Sequence, residues 1–198
     1  MRLRNIPRAE GVLEACKEVV KNPAGQKSRW HELFQNQNPV HIEIGMGKGQ
    51  FLLTLAERNP DINYIGIERY SSVLLRAVEK FQLLSGSPKG APSNIRFLCM
   101  DARELPEVFA PGEIEKIYLN FSDPWPKARH ARRRLTSREF LSLYAKVLPP
   151  GGTVEFKTDN RDLFEFSLEE VDAAGWKLMA HTFDLHHEDA MMEGNVMT

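Results

Sequence analysis

A strand-length apolar run, Pro39 to Ile44, breaks into Gly45-Met46-Gly47-Lys48-Gly49 and resumes as Gln50 to Arg58, with Phe51, Leu52 and Leu55 at helical spacing. A strand, a glycine turn and a helix in that order constrain the fold more than any other feature of the chain. Each glycine removes a Cβ where the backbone must turn tightly or come close to a ligand. The pattern predicts the first βα unit of an α/β sheet. Its spacing, Gly-x-Gly-x-Gly, departs from the Gly-x-Gly-x-x-Gly dinucleotide fingerprint. No Gly-Lys-Ser/Thr follows, so Lys48 is not a phosphate-loop lysine.

The same alternation continues downstream. Strands are expected at Asn63–Ile67, Asn94–Cys99, Glu113–Leu119 and Thr153–Lys157, with a sixth at Trp176–Leu185. Helices are expected at Ser71–Leu84, from the capping sequence Thr136-Ser-Arg-Glu139 to about Leu148, and at Arg161–Ala173. Residues 104–112 read as a loop or broken helix. Strands separated by helices specify a doubly wound, mostly parallel α/β sheet. Ahead of it, Ala9–Val20 and Lys27–Phe34 read as a helical lead-in. We therefore divide the chain into a basic arm and lead-in, residues 1–36, and a main domain, residues 37–198.

Polar residues collect at the C-terminal ends of the expected strands: Glu43 with Gly45, Gly47 and Gly49, then Glu68, Asp101 with Ala102, Asn120 to Asp123, and Thr158-Asp159. Exposure alone would scatter such residues over both edges of a sheet. In open α/β sheets this edge holds the ligand. Glu68 falls 21 residues after Gly47, where a carboxylate can accept both hydroxyls of a ribose. A surface charge at a strand end is the plainer reading of Glu68 taken alone. The combination describes a nucleoside-carrying cofactor. Glu43 chooses among them, because an acid two residues before the glycines would repel a pyrophosphate and attract the ammonium of a methionine moiety. S-adenosylmethionine fits better than a dinucleotide, with Asp101 placed to reach the adenine amino group.

After the fourth strand comes Asn120-Phe-Ser-Asp123-Pro-Trp125-Pro-Lys127, a loop stiffened by two prolines, and then Arg129, His130, Arg132, Arg133 and Arg134. Between Lys127 and Arg138 there are six Lys/Arg and no acid, although the 198-residue chain carries a net charge of only -1. A dense basic tract on a near-neutral body suits a local polyanion-docking face rather than general nucleic-acid coating. A solvated basic helix is the bland alternative. Arg2, Arg4 and Arg8 extend the face if the arm folds onto the same side. Trp125 has two readings, a platform on which a base stacks or an anchor that gives the loop its own small core. His181, Asp184, His186 and His187 match no established ligand spacing, so no metal is expected. No run is long and apolar enough for a membrane span, and no signal-peptide pattern follows the start. Cys16 and Cys99, far apart among apolar neighbours, read as buried reduced thiols of a cytoplasmic protein.

Through these motifs the chain resembles the bacterial single-chain tRNA (guanine-N7-)-methyltransferases. The most specific stretch is Asn120 to Leu135. Supporting matches are Glu43 to Gly49, Tyr64-Ile-Gly-Ile-Glu68, Lys157-Thr-Asp-Asn160 and Gly194-Asn-Val-Met-Thr198. The resemblance implies a Rossmann-like S-adenosylmethionine-dependent methyltransferase fold. It also implies methyl transfer to N7 of guanine in the variable loop of tRNA, without an obligate partner subunit and as monomer or homodimer. It assigns Glu43, Glu68 and Asp101 to the cofactor, Asp123 to the junction of cofactor and target base, and Lys127, Asp159 and Thr198 to the tRNA. It further implies a final strand beyond Thr198, inserted antiparallel between strands five and six, without which the sixth strand lacks a neighbour. Two other classes compete. A nucleic-acid-binding module would keep the basic tract but has no use for Glu43, Glu68 and Asp101 together. A DNA or protein amino-group methyltransferase would need a Pro-Pro-aromatic clamp that the Asn120 loop lacks.

Overall fold

The computed structural model describes residues 6–88, 90–188 and 196. Five strands, β1 (Val40–Ile44), β2 (Asn63–Glu68), β3 (Ile95–Cys99), β4 (Lys116–Asn120) and β5 (Thr153–Lys157), form one sheet in the order β3-β2-β1-β4-β5. Every pairing is parallel. Among the described residues seven α-helices precede, connect or follow them: α1 (Ala9–Ala15), α2 (Trp30–Phe34), α3 (Gln50–Arg58), α4 (Ser71–Ser85), α5 (Leu105–Val108), α6 (Arg138–Tyr144) and α7 (Arg161–Ala173). The chain winds outward from β1 to β3, then crosses back to lay β4 on the other side of β1. The order therefore reverses between β1 and β4, which is where such sheets open a crevice at their C-terminal edge.

Strand periodicity sends alternate side chains to opposite faces. Ile42, Ile44, Ile65, Ile67, Leu98, Ile117 and Leu119 join one apolar layer with Trp30, Phe140 and Tyr144. Tyr64, Ile95, Phe97 and Tyr118 join the other with Phe51, Leu52, Leu74 and Val78. β2, with neighbours on both sides and layers on both faces, is buried along its whole length. The lead-in belongs to these layers too. Trp30 is fully buried, stacks on Phe109 at 5.1 Å and donates its indole N–H to the Val108 carbonyl at 3.1 Å.

Four expectations are corrected. The first helix stops at Ala15 instead of Val20, because the β-branched Val19 and Val20 extend and pair with β3. Val20 N–H donates to the Phe97 carbonyl at 3.0 Å and Phe97 N–H to the Glu18 carbonyl at 2.9 Å. The sixth strand is not formed. Among the described residues nothing lies beside β5 for Trp176–Leu185 to bond with, and Leu178, Met179 and Phe183 stay exposed. Cys99 is exposed at the end of β3, whereas Cys16 is buried.

The capping box at Thr136 is also replaced. Thr136 is buried with its hydroxyl 2.7 Å from that of Ser167, and α6 begins after Ser137 with no side-chain cap of its own. The free N–H of Arg138 instead donates to Glu170 of α7 at 2.6 Å, and the Arg138 guanidinium forks onto the same carboxylate at 2.6–3.1 Å. A cap supplied across the interface welds α6 to α7. Arg138 holds the Glu170 carboxyl below its ordinary value of 4.5. Its stabilisation is therefore present above that value and fades as pH falls through the lower folded-state value. Glu170→Gln is expected to lower unfolding free energy at pH 7 by about 1–2 kcal/mol, with an unchanged denaturant slope and a deficit that closes in acid. An unaltered midpoint would refute the cap.

Candidate active site

Glu43 is the penultimate residue of β1 and Asn120 the last of β4, the two strands flanking the point where strand order reverses. Both are almost fully buried, and the Asn120 amide donates to Glu43 Oε1 at 3.0 Å. Burial pushes the Glu43 carboxyl up to about 7; the Asn120 bond and the charge of Lys157 pull against that, and the Glu68 charge adds to it. Glu43 Oε2, Asn120 Oδ1 and Ser122 Oγ are buried with no hydrogen-bond partner among the described residues. Unpartnered buried polar atoms are costly and scarce in folded proteins. Two of them on one hydrogen-bonded pair, with a third two residues beyond Asn120, fit a ligand that brings its own polar groups, an ammonium above all.

The glycine turn forms the floor of that crevice. Gly45, Gly47 and Gly49 all take left-handed φ, at 73°, 57° and 74°, where other residues are strained. A Cβ on Gly47 would meet nothing within 4 Å, so that backbone is open to approach. Glu68 ties the turn down: Gly47 N–H donates to its Oε2 at 3.3 Å and Tyr70 N–H to its Oε1 at 3.0 Å. Burial raises the Glu68 carboxyl, and the charge of Asp123 adds to the rise. Sequence reasoning gave no role to Met46 or Gly66. The Met46 side chain lies over Gly66 in β2, leaving no space for a Cβ there. The available signal was a glycine inside an otherwise apolar strand.

Asp101 stands at the outer side of the same edge and is already engaged. It caps a short 3-10 turn, Ala102–Glu104, accepting from Arg103 N–H at 2.9 Å, and it faces Arg103 at 3.1 Å and Arg69 at 3.5 Å. Ala102 is buried beneath it. Across the sheet, exposed Asp159 follows β5, just before Asn160 caps α7 through Leu163 N–H at 2.8 Å.

The Asn120 loop is held in an unusual shape. Phe121 and Trp125 both adopt left-handed φ, at 51° and 42°, which bulky residues keep only where their surroundings over-determine it. Phe121 N–H is fixed by the Lys157 carbonyl at 2.8 Å. Asp123 is exposed on this loop. Half-buried Trp125 packs inside its own segment, edge-on to His130 at 5.7 Å and under the Arg133 guanidinium at 5.0 Å. That environment matches the anchor reading. The basic tract is a 3-10 helix, Ala128–Arg133, rather than a solvated α-helix. Lys127, Arg129, Arg132 and Arg133 are exposed, and Arg132 pairs with Glu139 at 3.1 Å. Arg8 pairs with Glu79 of α4 at 2.6 Å rather than with the tract. Arg2, Arg4 and Thr198 lie outside the described residues. No group of three His, Cys, Asp or Glu among the described residues is arranged to hold a metal, and no helix there is long and apolar enough to cross a membrane.

Comparison with known proteins agrees with this geometry. A family model described as "Putative methyltransferase" matches residues 37–197. Among solved structures, one titled an antibiotic related methyltransferase superposes with a TM-score of 0.58 at 23% identity, covering 77% of this chain and 76% of that one. The 16S rRNA methyltransferase KamB gives 0.54 at 21% identity, covering 76% and 75%. These likenesses establish the methyltransferase fold. Among curated relatives, the tRNA (guanine-N(7)-)-methyltransferase of Lachnoclostridium phytofermentans is 57% identical over 198 residues, covering all of this chain and 89% of the relative. That of Bacillus subtilis is 47% identical over 199 residues, covering all of this chain and 90% of the relative. The chain belongs to the tRNA (guanine-N(7)-)-methyltransferase family, enzymes that take their methyl group from S-adenosylmethionine.

Proposed function

We propose that this protein methylates N7 of guanine in the variable loop of tRNA, acting in the cytoplasm without an obligate partner subunit. The observation that carries the reading is the buried Glu43–Asn120 pair with its unpartnered oxygens, set directly before the strained loop that bears Asp123. S-adenosylmethionine supplies an electrophilic sulfonium methyl when bound. Glu43 would take its ammonium, the turn of Gly45, Gly47 and Gly49 would let it approach where the backbone is open at Gly47, and Glu68 would accept its ribose hydroxyls. Asp101 and Ala102 would border the adenine.

Guanine N7 has an in-plane lone pair and no proton at neutral pH. The acceptor therefore needs no strong general base, and the transfer is an in-line displacement governed by alignment and electrostatics. Asp123 would accept hydrogen bonds from the guanine N1–H and amino edge and so turn N7 toward the methyl. Lys127, Arg129, His130, Arg132 and Arg133 would meet tRNA phosphates, with Asp159 and Thr198 as further substrate contacts.

Incubation with unmodified tRNA and nucleoside analysis tests the whole reading: 7-methylguanosine must accumulate. Asp123→Ala should slow methylation at saturating tRNA by about 10²-fold; a rate within about twofold would remove Asp123 from its role. Glu68→Ala should weaken cofactor affinity in calorimetric titration, and unchanged affinity would exclude the ribose contact. Glu43 makes a pH-dependent prediction. With its carboxyl at about 7 in the free protein, falling pH protonates it and removes the charge an ammonium needs. Affinity should drop about fivefold between pH 7 and pH 6, a window in which the cofactor's α-amino group stays protonated. Glu43→Gln should bind weakly with a flat pH profile; a wild-type profile equally flat would contradict the assignment.

A further inference from the structure

Arg134 closes the basic tract yet behaves unlike its neighbours. Arg129, Arg132 and Arg133 are exposed, whereas Arg134 is half-buried and turns inward. Its Nε donates to the Pro124 carbonyl at 3.0 Å and its Nη2 to the Trp125 carbonyl at 3.1 Å. The guanidinium carbon sits 4.2 Å from the centroid of the Phe166 ring on α7. Its charge also helps lower the Glu170 carboxyl, one helical turn further along that helix. The backbone around it is fixed as well, since Arg134 N–H donates to the Ala131 carbonyl and Ser137 N–H to the carbonyl of Arg134.

We propose that Arg134 is a positioning residue that locks the Asp123 loop onto α7, and that it does not serve as a phosphate contact. Two consecutive carbonyls, one belonging to the left-handed Trp125, are gripped by two nitrogens of a single planar group. The flat face of that group rests on an aromatic ring. Guanidinium geometry suits both tasks at once; a lysine ammonium can satisfy neither the paired acceptors nor the stacking to the same degree. A non-glycine residue in a left-handed conformation persists only where its surroundings enforce it, and Arg134 supplies that enforcement two residues after Asp123. The welded α6–α7 pair is thereby connected to the loop, and the three consecutive arginines divide into two that face outward and one that faces inward.

The test rests on the proposed methylation. Arg134→Lys keeps the charge, and Arg134→Ala removes it; both are checked for folding by circular dichroism. The expected result is a fall in kcat of about tenfold or more in each, with KM for tRNA within about twofold. Partial recovery of kcat in Arg134→Ala by millimolar free guanidinium is also expected. Trypsin provides a reading independent of activity: cleavage after Lys127, Arg129 or Arg132 should be faster in both variants than in the parent chain. A raised KM for tRNA with unchanged kcat would make Arg134 a phosphate contact and overturn the proposal. So would full activity in Arg134→Lys, or unaltered trypsin sensitivity. If the parent chain makes no 7-methylguanosine, the functional reading fails, while the trypsin comparison still decides whether Arg134 orders the loop.

Discussion

The bond between Asn120 and Glu43 joins the two strands between which the winding of the sheet reverses. Every other part of the site takes its place from it. β1 and β4 converge there with parallel register, so an acid near the end of one and an amide at the end of the other meet without distortion. The pairing leaves one oxygen on each partner unbonded, which makes the crevice polar at a depth where the surroundings are apolar. A charge introduced at such a depth is felt strongly because little water screens it. The three carboxylates of the region respond to one another in this setting: Glu68 acts on Glu43, and Asp123 acts on Glu68. A ligand bearing positive charge relieves this repulsion, whereas a pyrophosphate would compound it.

Two kinds of restraint hold the site. On the β1–β2 side the glycine turn is fastened by backbone, with Gly45 and Met46 N–H both directed at the Ile67 carbonyl and Gly47 N–H at Glu68. On the β4–β5 side the loop is fastened by side chains, Arg134 from just beyond the basic turn and, behind it, Arg138 with Glu170 of α7. The first restraint comes with the parallel pairing of β1 and β2, because the end of β2 supplies both acceptors. The second depends on α7 being docked, so the geometry around Asp123 is a property of the folded domain and not of its own eight or so residues.

That difference explains what could be read in advance. β1, α3, β5 and α7 were legible because their period, glycines and caps lie within a few residues of one another, and α3, β5 and α7 match the expected bounds. The edge bearing Glu43, Glu68, Asn120 and Asp123 was legible for the same reason, each residue lying at or just beyond the C-terminal end of a recognisable strand. What failed involved partners remote in sequence. Thr136 and Glu139 have the spacing of a capping box, but Glu170 arrives from 32 residues away and takes the helix end. Val19 has helical spacing with Val12 and Cys16, but Phe97 offers it a ladder. Trp176–Leu185 has strand-like composition, but among the described residues no strand pairs with it. The distinction between Arg134 and the arginines before it has no local signature at all, since it is set by Phe166 and two carbonyls.

The pairing of Glu18–Val20 with β3 reaches beyond the helix boundary it displaced. A terminal strand of a sheet presents a row of free amide and carbonyl groups on which a second molecule can build. On the β3 side that row is occupied at Phe97 by the chain's own lead-in, and the Arg96 guanidinium is folded back over the Phe34 ring at 4.9 Å. On the β5 side, among the described residues, no segment does the same. Backbone-mediated growth from the β3 edge is thereby blocked at Phe97 by the chain itself, so the segment that precedes the sheet also guards one of its borders.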